Sequence, residues 1–147
     1  MVAAFFMSSG GSVLTGLNHI TITVSNLKTS LDFYCDLLGC ELWVTWDKGA
    51  YLALGDVWLC LSLGKVSPSS DYSHIAFNIA AEDFTTFSKT LLDNGVGLWQ
   101  QNSSEGDSLY IYDPDHHKLE IHSGSLQSRL KSLQQQPYSG LTWYKSV

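Results

Sequence analysis

Two histidines and one glutamate have the types and the placement to build a metal centre. His19 lies in LNHITITV and His74 in SHIAFNI, two similar runs that each stand just ahead of a helical pattern. Both runs alternate like half-buried strands, so His19 shares a face with Thr21 and Thr23, and His74 with Ala76 and Asn78. Glu120 sits in KLEIH between Leu119 and Ile121, again on the polar side of an alternating run. Two neutral imidazoles and a carboxylate leave coordination positions on a divalent ion open to water or substrate, and the hard carboxylate extends the range of metals to Mn²⁺. A strand histidine taken singly is more often a hydrogen-bonded core or surface residue, and a strand glutamate a solvated one. The recurrence at matched positions is what argues for ligands. His116 and His117, in or beside a turn, are alternatives, and His122, on the face of Glu120, is a candidate outer partner of a ligand. Ahead of Glu120 a polar, glycine-containing loop at 102–108 exposes several carbonyls and hydroxyls beside the expected centre.

These residues need strands to hold them, and the sequence supplies a repeat. A strand at 17–24 is followed by Ser25-Asn26, a helix start, and by helical apolar spacing through Leu27, Leu31, Tyr34, Leu37 and Leu38, with Gly39 as its stop. Strands are expected at 41–46, 50–54 and 57–63. After a Pro- and Ser-containing linker the order returns: a strand at 73–79, a helix at 82–94 stopped by Gly95, and strands at 97–101, 108–112 and 118–122. Two βαβββ units in succession imply an α+β protein with a pseudo-twofold axis. If the helices cover the apolar faces, the polar faces line a concave interior. A short amphipathic helix at 125–135 ends before Pro137, and an aromatic tail follows. The expected division is a flexible leader at 1–13 and a single domain at 14–147, comprising module one at about 14–66, module two at about 72–124, and a C-terminal helix and tail at 125–147.

Bulk properties narrow the classes of function. A chain of 147 residues suits one domain. Chains of that size bury about 70% of their unfolded surface. A net charge of −6 argues against a nucleic-acid backbone partner. No run approaches the ~20 apolar residues of a membrane span, and MVAAFFMSSGGSV lacks the basic flank of a signal peptide. Cys35, Cys40 and Cys60, odd in number and without a CxxC, read as small core residues of a cytoplasmic protein. The low charged fraction, 15%, leaves room for surface covered by a second subunit.

The runs LNHITITVSNL, WDKGAYL, WLCLS, DYSHIAFNI, NSSEGDSLYIYDPD and KLEIHSGSLQSRL resemble the fosfomycin-resistance glutathione transferases of the vicinal-oxygen-chelate (glyoxalase/bleomycin-resistance/dioxygenase) superfamily. The resemblance runs from Leu14 to about Trp143. It implies paired βαβββ modules forming a metal cup in a domain-swapped homodimer, with Mn²⁺ on His19, His74 and Glu120 and the two histidines of one site supplied by different subunits. It implies that the glutathione thiolate opens the epoxide of fosfomycin while the metal acts as a Lewis acid. Thr21 matches a threonine near the oxirane, Tyr110 a phosphonate-contacting tyrosine and Arg129 the arginine that pairs with the phosphonate. Asn102, Ser104, Gly106 and Ser108 match a K⁺ loop, with Ser104 and Gln100 also on the substrate side. Trp46, Ser62 and Tyr138 match a glutathione channel. Without the resemblance, Arg129 reads as a surface arginine, the loop as a plain hairpin and Tyr110 as core.

Three positions depart from the family pattern. Gln100 stands where the family usually has Lys, Ser103 where it has Arg, and His116 where the turn has Gly. Each lost cation removes a charge-assisted bond worth about 1.5–3 kcal/mol, so a weakened anion clamp is expected, or a different electrophile. His116 is expected at φ > 0, at some cost. Other readings are a lyase, an isomerase or a dioxygenase of the same fold, though a dioxygenase needs Fe²⁺ and an acid–base residue that does not stand out. A metal-free drug-sequestering protein needs no such ligand trio.

Overall fold

The computed structural model describes residues 11–147, so most of the leader expected at 1–13 lies outside the described residues. The strand His19–Val24 (β1) leads through Asn26, whose side chain accepts from the Thr29 amide at 2.9 Å, into the helix Leu27–Leu31 (α1). The expected single helix over 27–38 is corrected there: from Asp32 to Leu37 the turns widen to π-helix, with the Leu38 amide on the Phe33 carbonyl. The wider turn lets two consecutive aromatics, Phe33 and Tyr34, both enter the core. Strands Glu41–Trp46 (β2), Gly49–Leu54 (β3) and Val57–Leu63 (β4) complete the first unit. The second unit runs Ile75–Asn78 (β5), Ala81–Asp93 (α2), Leu98–Gln100 (β6), Asp107–Tyr112 (β7) and Lys118–Ser123 (β8), followed by Leu126–Gln135 (α3).

The two units have one topology. The sheet orders are β1-β4-β3-β2 and β5-β8-β7-β6, with the first strand of each unit parallel to the last and the other pairs antiparallel. The protein is α+β, as the repeat implies. Alternation puts Ile22, Val24, Leu59, Leu61, Ala50 and Leu52 of the first sheet, and Leu119, Ile121 and Ile111 of the second, into one buried cluster with Tyr34 and Leu91. The polar faces point the other way.

A buried bond fastens the units together. The Tyr34 hydroxyl donates to Asp113 Oδ2 at 2.7 Å, while Asp113 Oδ1 accepts from the amides of Asp115 and His117 at 2.9 and 2.8 Å. Burial pushes the Tyr34 hydroxyl well above its ordinary pKa and raises Asp113 too, against the bonds that stabilise its charge. Asp115 accepts from the Ser25 amide and hydroxyl, and the His117 ring bonds the Thr23 carbonyl at 2.7 Å, so the Asp-Pro-Asp turn is anchored at the end of β1. His116, in that turn, has φ 65, the one positive φ of a non-glycine residue among the described residues. Left-handed backbone costs an ordinary residue about 1–2 kcal/mol and asparagine less. His116→Asn is therefore expected to raise stability by about 0.5–1 kcal/mol, read as a higher denaturant midpoint at unchanged slope.

Candidate metal centre

The second sheet carries two rows of side chains on its polar face. Pairing aligns Ala76, Glu120, Tyr110 and Gln100 across β5, β8, β7 and β6, and next to them Asn78, His122 and Ser108. Glu120 is buried, with 7% of its surface exposed, because it lies on the middle strand of this face. Its Oε2 lies 2.9 Å from His74 Nε2, and its Oε1 accepts from the Ser108 hydroxyl at 2.6 Å. His74 does not sit inside a strand as expected; β5 begins one residue later. The Asp71 side chain accepts from the Ser73 amide at 2.8 Å. That bond turns the chain and delivers the imidazole over Glu120.

The proton inventory at His74 bears directly on a metal. Its Nδ1 lies 2.7 Å from the Tyr72 carbonyl. A carbonyl only accepts, so Nδ1 carries the hydrogen. In the neutral ring Nε2 is then a bare lone pair facing a carboxylate oxygen that has only lone pairs. Such a contact needs a shared proton, on the ring or on the carboxyl, or a metal ion. The imidazole nitrogen and the carboxylate oxygen, 2.9 Å apart, are two donors of the types that would hold one divalent ion together. His19 is prepared in the same way, its Nδ1 2.7 Å from Asn18 Oδ1 and its ring stacked on Trp58 at 4.3 Å and 9°. Outer partners that hold Nδ1 and leave Nε2 to an ion are the usual support of a histidine ligand.

His19 lies on the first sheet, and the structure does not bring it to the other two. Among the described residues no group of three His, Cys, Asp or Glu in one chain gathers to hold a metal. On the first sheet Thr21 stands beside Cys60, and Ser62 follows Trp58 and Cys60 along β4. Trp46, Tyr51 and Trp58 form an edge-to-face series at 4.8 and 5.8 Å. Trp46 is 41% exposed and rests on Gly49, where an added Cβ would come within 2.6 Å of its ring.

The remaining residues surround His74 and Glu120. Tyr110 is buried, opposite Glu120, with its ring 6.1 Å from that of His74 and 5.1 Å from Trp99. Gln100 donates to the Tyr72 hydroxyl at 3.1 Å, and Tyr72 in turn stands edge-on to His74 at 5.0 Å. In the loop, Asn102 Oδ1 accepts from the Ser104 amide and hydroxyl at 3.0 Å each, and Asn102 Nδ2 donates to the Gly106 carbonyl at 2.9 Å. Ser103 is exposed at the loop's rim. Gly106 needs its lack of side chain, since φ is +79 and a Cβ would meet the Ser123 carbonyl at 2.6 Å. Ser108 is buried beneath the loop, and its hydroxyl keeps one lone pair after the bonds to Glu120 and His122. Arg129 of α3 donates to the Glu105 carbonyl at 3.1 Å, lies 3.4 Å from its carboxylate, and has Tyr138 Oη 3.5 Å from Nη1. Trp58, Asn18 and Tyr72 join the site without a sequence signal that singles them out. The WLCLS run contains Trp58, but its place beside His19 depends on a parallel pairing between strands far apart in the chain.

Fold and residues together define a metal-site scaffold of paired βαβββ units. The chain belongs to the glyoxalase/bleomycin resistance protein/dioxygenase superfamily, which it matches over residues 16–121. Within it, the chain is 48% identical over 136 residues to the glutathione transferase FosA of Serratia marcescens, covering 89% of this chain and 96% of that one. It is 40% identical over 125 residues to a metallothiol transferase FosB of Staphylococcus haemolyticus, covering 80% and 90%. Its fold is similar to that of the fosfomycin resistance protein FosX of Listeria monocytogenes, solved with Mn(II) and sulfate, at a TM-score of 0.73 and 30% identity over 81% of this chain and 98% of that one.

Proposed function

We propose that the protein is a metal-dependent glutathione transferase that inactivates fosfomycin by thiol opening of its epoxide, working as a cytoplasmic homodimer with Mn²⁺ and K⁺. The observation that carries the reading is the His74 Nε2–Glu120 Oε2 contact at 2.9 Å, which sets an imidazole nitrogen and a carboxylate oxygen side by side with Nδ1 already engaged by the Tyr72 carbonyl. Support for glutathione as the thiol is the 48% identity to a glutathione transferase against 40% to a metallothiol transferase. Support for Mn²⁺ is the Mn(II) in a solved structure 30% identical to this chain. Three free cysteines agree with a reducing compartment, and among the described residues no helix is long and apolar enough to cross a membrane.

The bound ion would supply Lewis acidity toward the epoxide and phosphonate oxygens. His19, His74 and Glu120 would hold it, with Thr21 beside the epoxide. Tyr110 would orient the phosphonate through its hydroxyl, and Arg129 through its guanidinium once Glu105 yields part of it. Asn102, Ser104, Gly106 and Ser108 would hold K⁺, adding positive charge near the phosphonate. Trp46, Ser62 and Tyr138 would line the path of the thiol. A second subunit answers two needs. It brings a His19, and it covers β2, where Leu42, Trp43, Val44 and Trp46 are all exposed, Trp43 by 71%. Several large apolar side chains left exposed on one strand mark an interaction site.

The direct test supplies purified protein with Mn²⁺, K⁺ and glutathione and follows fosfomycin loss and adduct formation. Turnover no faster than the uncatalysed reaction, with metal loaded, refutes the proposal. Gln100 gives a graded test. Its amide reaches the Tyr72 hydroxyl on the rim of His74 but carries no charge. Gln100→Lys is expected to lower the KM for fosfomycin by about ten- to a hundredfold, because a charge-assisted bond is worth about 1.5–3 kcal/mol. An unchanged KM would show that position 100 does not face the phosphonate.

A further inference from the structure

His122 is a part-buried imidazole that the proposed chemistry leaves without a task. Its Nδ1 lies 2.6 Å from the Ser108 hydroxyl, and that hydroxyl lies 2.6 Å from Glu120 Oε1. Proton counting fixes the direction of both bonds. A carboxylate only accepts, so Ser108 spends its one hydrogen on Glu120 and must accept from His122 Nδ1–H. The two bonds run the same way, from ring to hydroxyl to carboxylate, and each polarises the next. Direct contact does not replace this path, since His122 Nδ1 stands 3.5 Å from Glu120 Oε1.

The fold keeps a slot for this ring. A Cβ on Gly124 would stand 2.7 Å from His122 Nε2, and one on Gly106 would stand 3.0 Å from Cε1. Both glycines have positive φ, +154 and +79, so the backbone on either side is shaped around the imidazole. One comes from the 102–108 loop and the other from the segment ahead of α3, so the ring is confined from two sides.

We infer that His122 is a positioning residue for the metal carboxylate: through Ser108 it fixes Glu120 Oε1 and thereby turns Oε2 toward His74 Nε2. The inference rests on the proposed metal-dependent reading and extends it to a residue outside the ligand set. Freed from Ser108, the carboxylate regains rotation about its last torsion, and the ion loses a preformed ligand. Loss of such an outer partner lowers metal affinity by about 10–100-fold.

The test measures Mn²⁺ dissociation constants by electron paramagnetic resonance in K⁺-free buffer, with melting of the metal-free proteins alongside. His122→Leu is expected to weaken Mn²⁺ by about 10–100-fold. His122→Asn, whose amide N–H reaches toward the position of Nδ1, is expected to restore affinity to within about threefold of wild type, a rescue that mere slot-filling would not produce. In the metal-free wild type, ¹⁵N imidazole spectra are expected to show His122 as the Nδ1–H tautomer. Wild-type affinity in His122→Leu, or equal weakening in His122→Asn and His122→Leu, overturns the positioning role while leaving the metal reading intact. Absence of Mn²⁺ binding by the wild type overturns both.

Discussion

Glu120→Gln is expected to cut thiol addition to fosfomycin by about a hundredfold or more and to leave the purified protein without a divalent ion. The substitution keeps shape and volume, so its effect isolates charge. The glutamine oxygen still accepts from Ser108. Its amide nitrogen, placed near Oε2, donates to the lone pair of His74 Nε2 across the 2.9 Å now separating the two groups. The contact that a shared proton or a metal ion satisfies in the wild type is then satisfied by a neutral hydrogen bond, and an ion entering the site must break it. A Lewis-acid metal contributes several kcal/mol to transition-state stabilisation, and each step of about 1.4 kcal/mol is a factor of ten in rate. Folding should survive, because no cavity forms and a buried charge is removed. The measurements are metal content by elemental analysis, kcat/KM at saturating glutathione, and thermal melting. Normal metal content in a folded Glu120→Gln variant would mean that the ion binds elsewhere.

Much of this arrangement is legible in the sequence because it follows local rules. The alternation of His19, Thr21 and Thr23 with Ile20, Ile22 and Val24 shows which face each occupies, since strand side chains have a strict period of two. The repeat is readable because both units end their helices with glycines, Gly39 and Gly95, both found at positive φ. The cost at His116 is visible only through the family resemblance, which has glycine in that turn. What local rules do not give is long-range register. Trp58 stacks on His19 because β4 returns beside β1 after a helix and two strands, and that pairing is selected by how Leu59 and Leu61 pack with Ile22 and Val24. The same limit hides the engagement of Arg129 by Glu105, which depends on where α3 docks against the 102–108 loop. The π-helical widening at Asp32–Leu37 leaves no local signal because Phe33 and Tyr34 are both buried for tertiary reasons, Tyr34 through its bond to Asp113. His74, expected inside a strand, stands at a bend set by Asp71, and that bend gives its Nδ1 the carbonyl of Tyr72.

Mixing two inactive variants is expected to restore about a quarter of wild-type activity. Within one chain His19 lies on the sheet formed by β1–β4, away from His74 and Glu120 on the sheet formed by β5–β8. If a complete site takes His19 from one subunit and the other two ligands from its partner, each homodimer of His19→Ala has two broken sites, and so does each homodimer of His74→Ala. The mixed dimer differs. One of its sites carries both substitutions, and the other carries neither, because the intact His19 of one variant faces the intact His74 of the other. Random exchange makes about half of the dimers mixed, and each has one working site of two, so about a quarter of all sites are whole. Exchange can be driven by co-expression or by partial unfolding and refolding of equal amounts, and activity should rise from background only after exchange. A site built within a single chain predicts no recovery, since each chain would still lack a histidine. The experiment thus ties the bare Nε2 of His19 to a subunit interface by a readout that substitution in either homodimer alone cannot give.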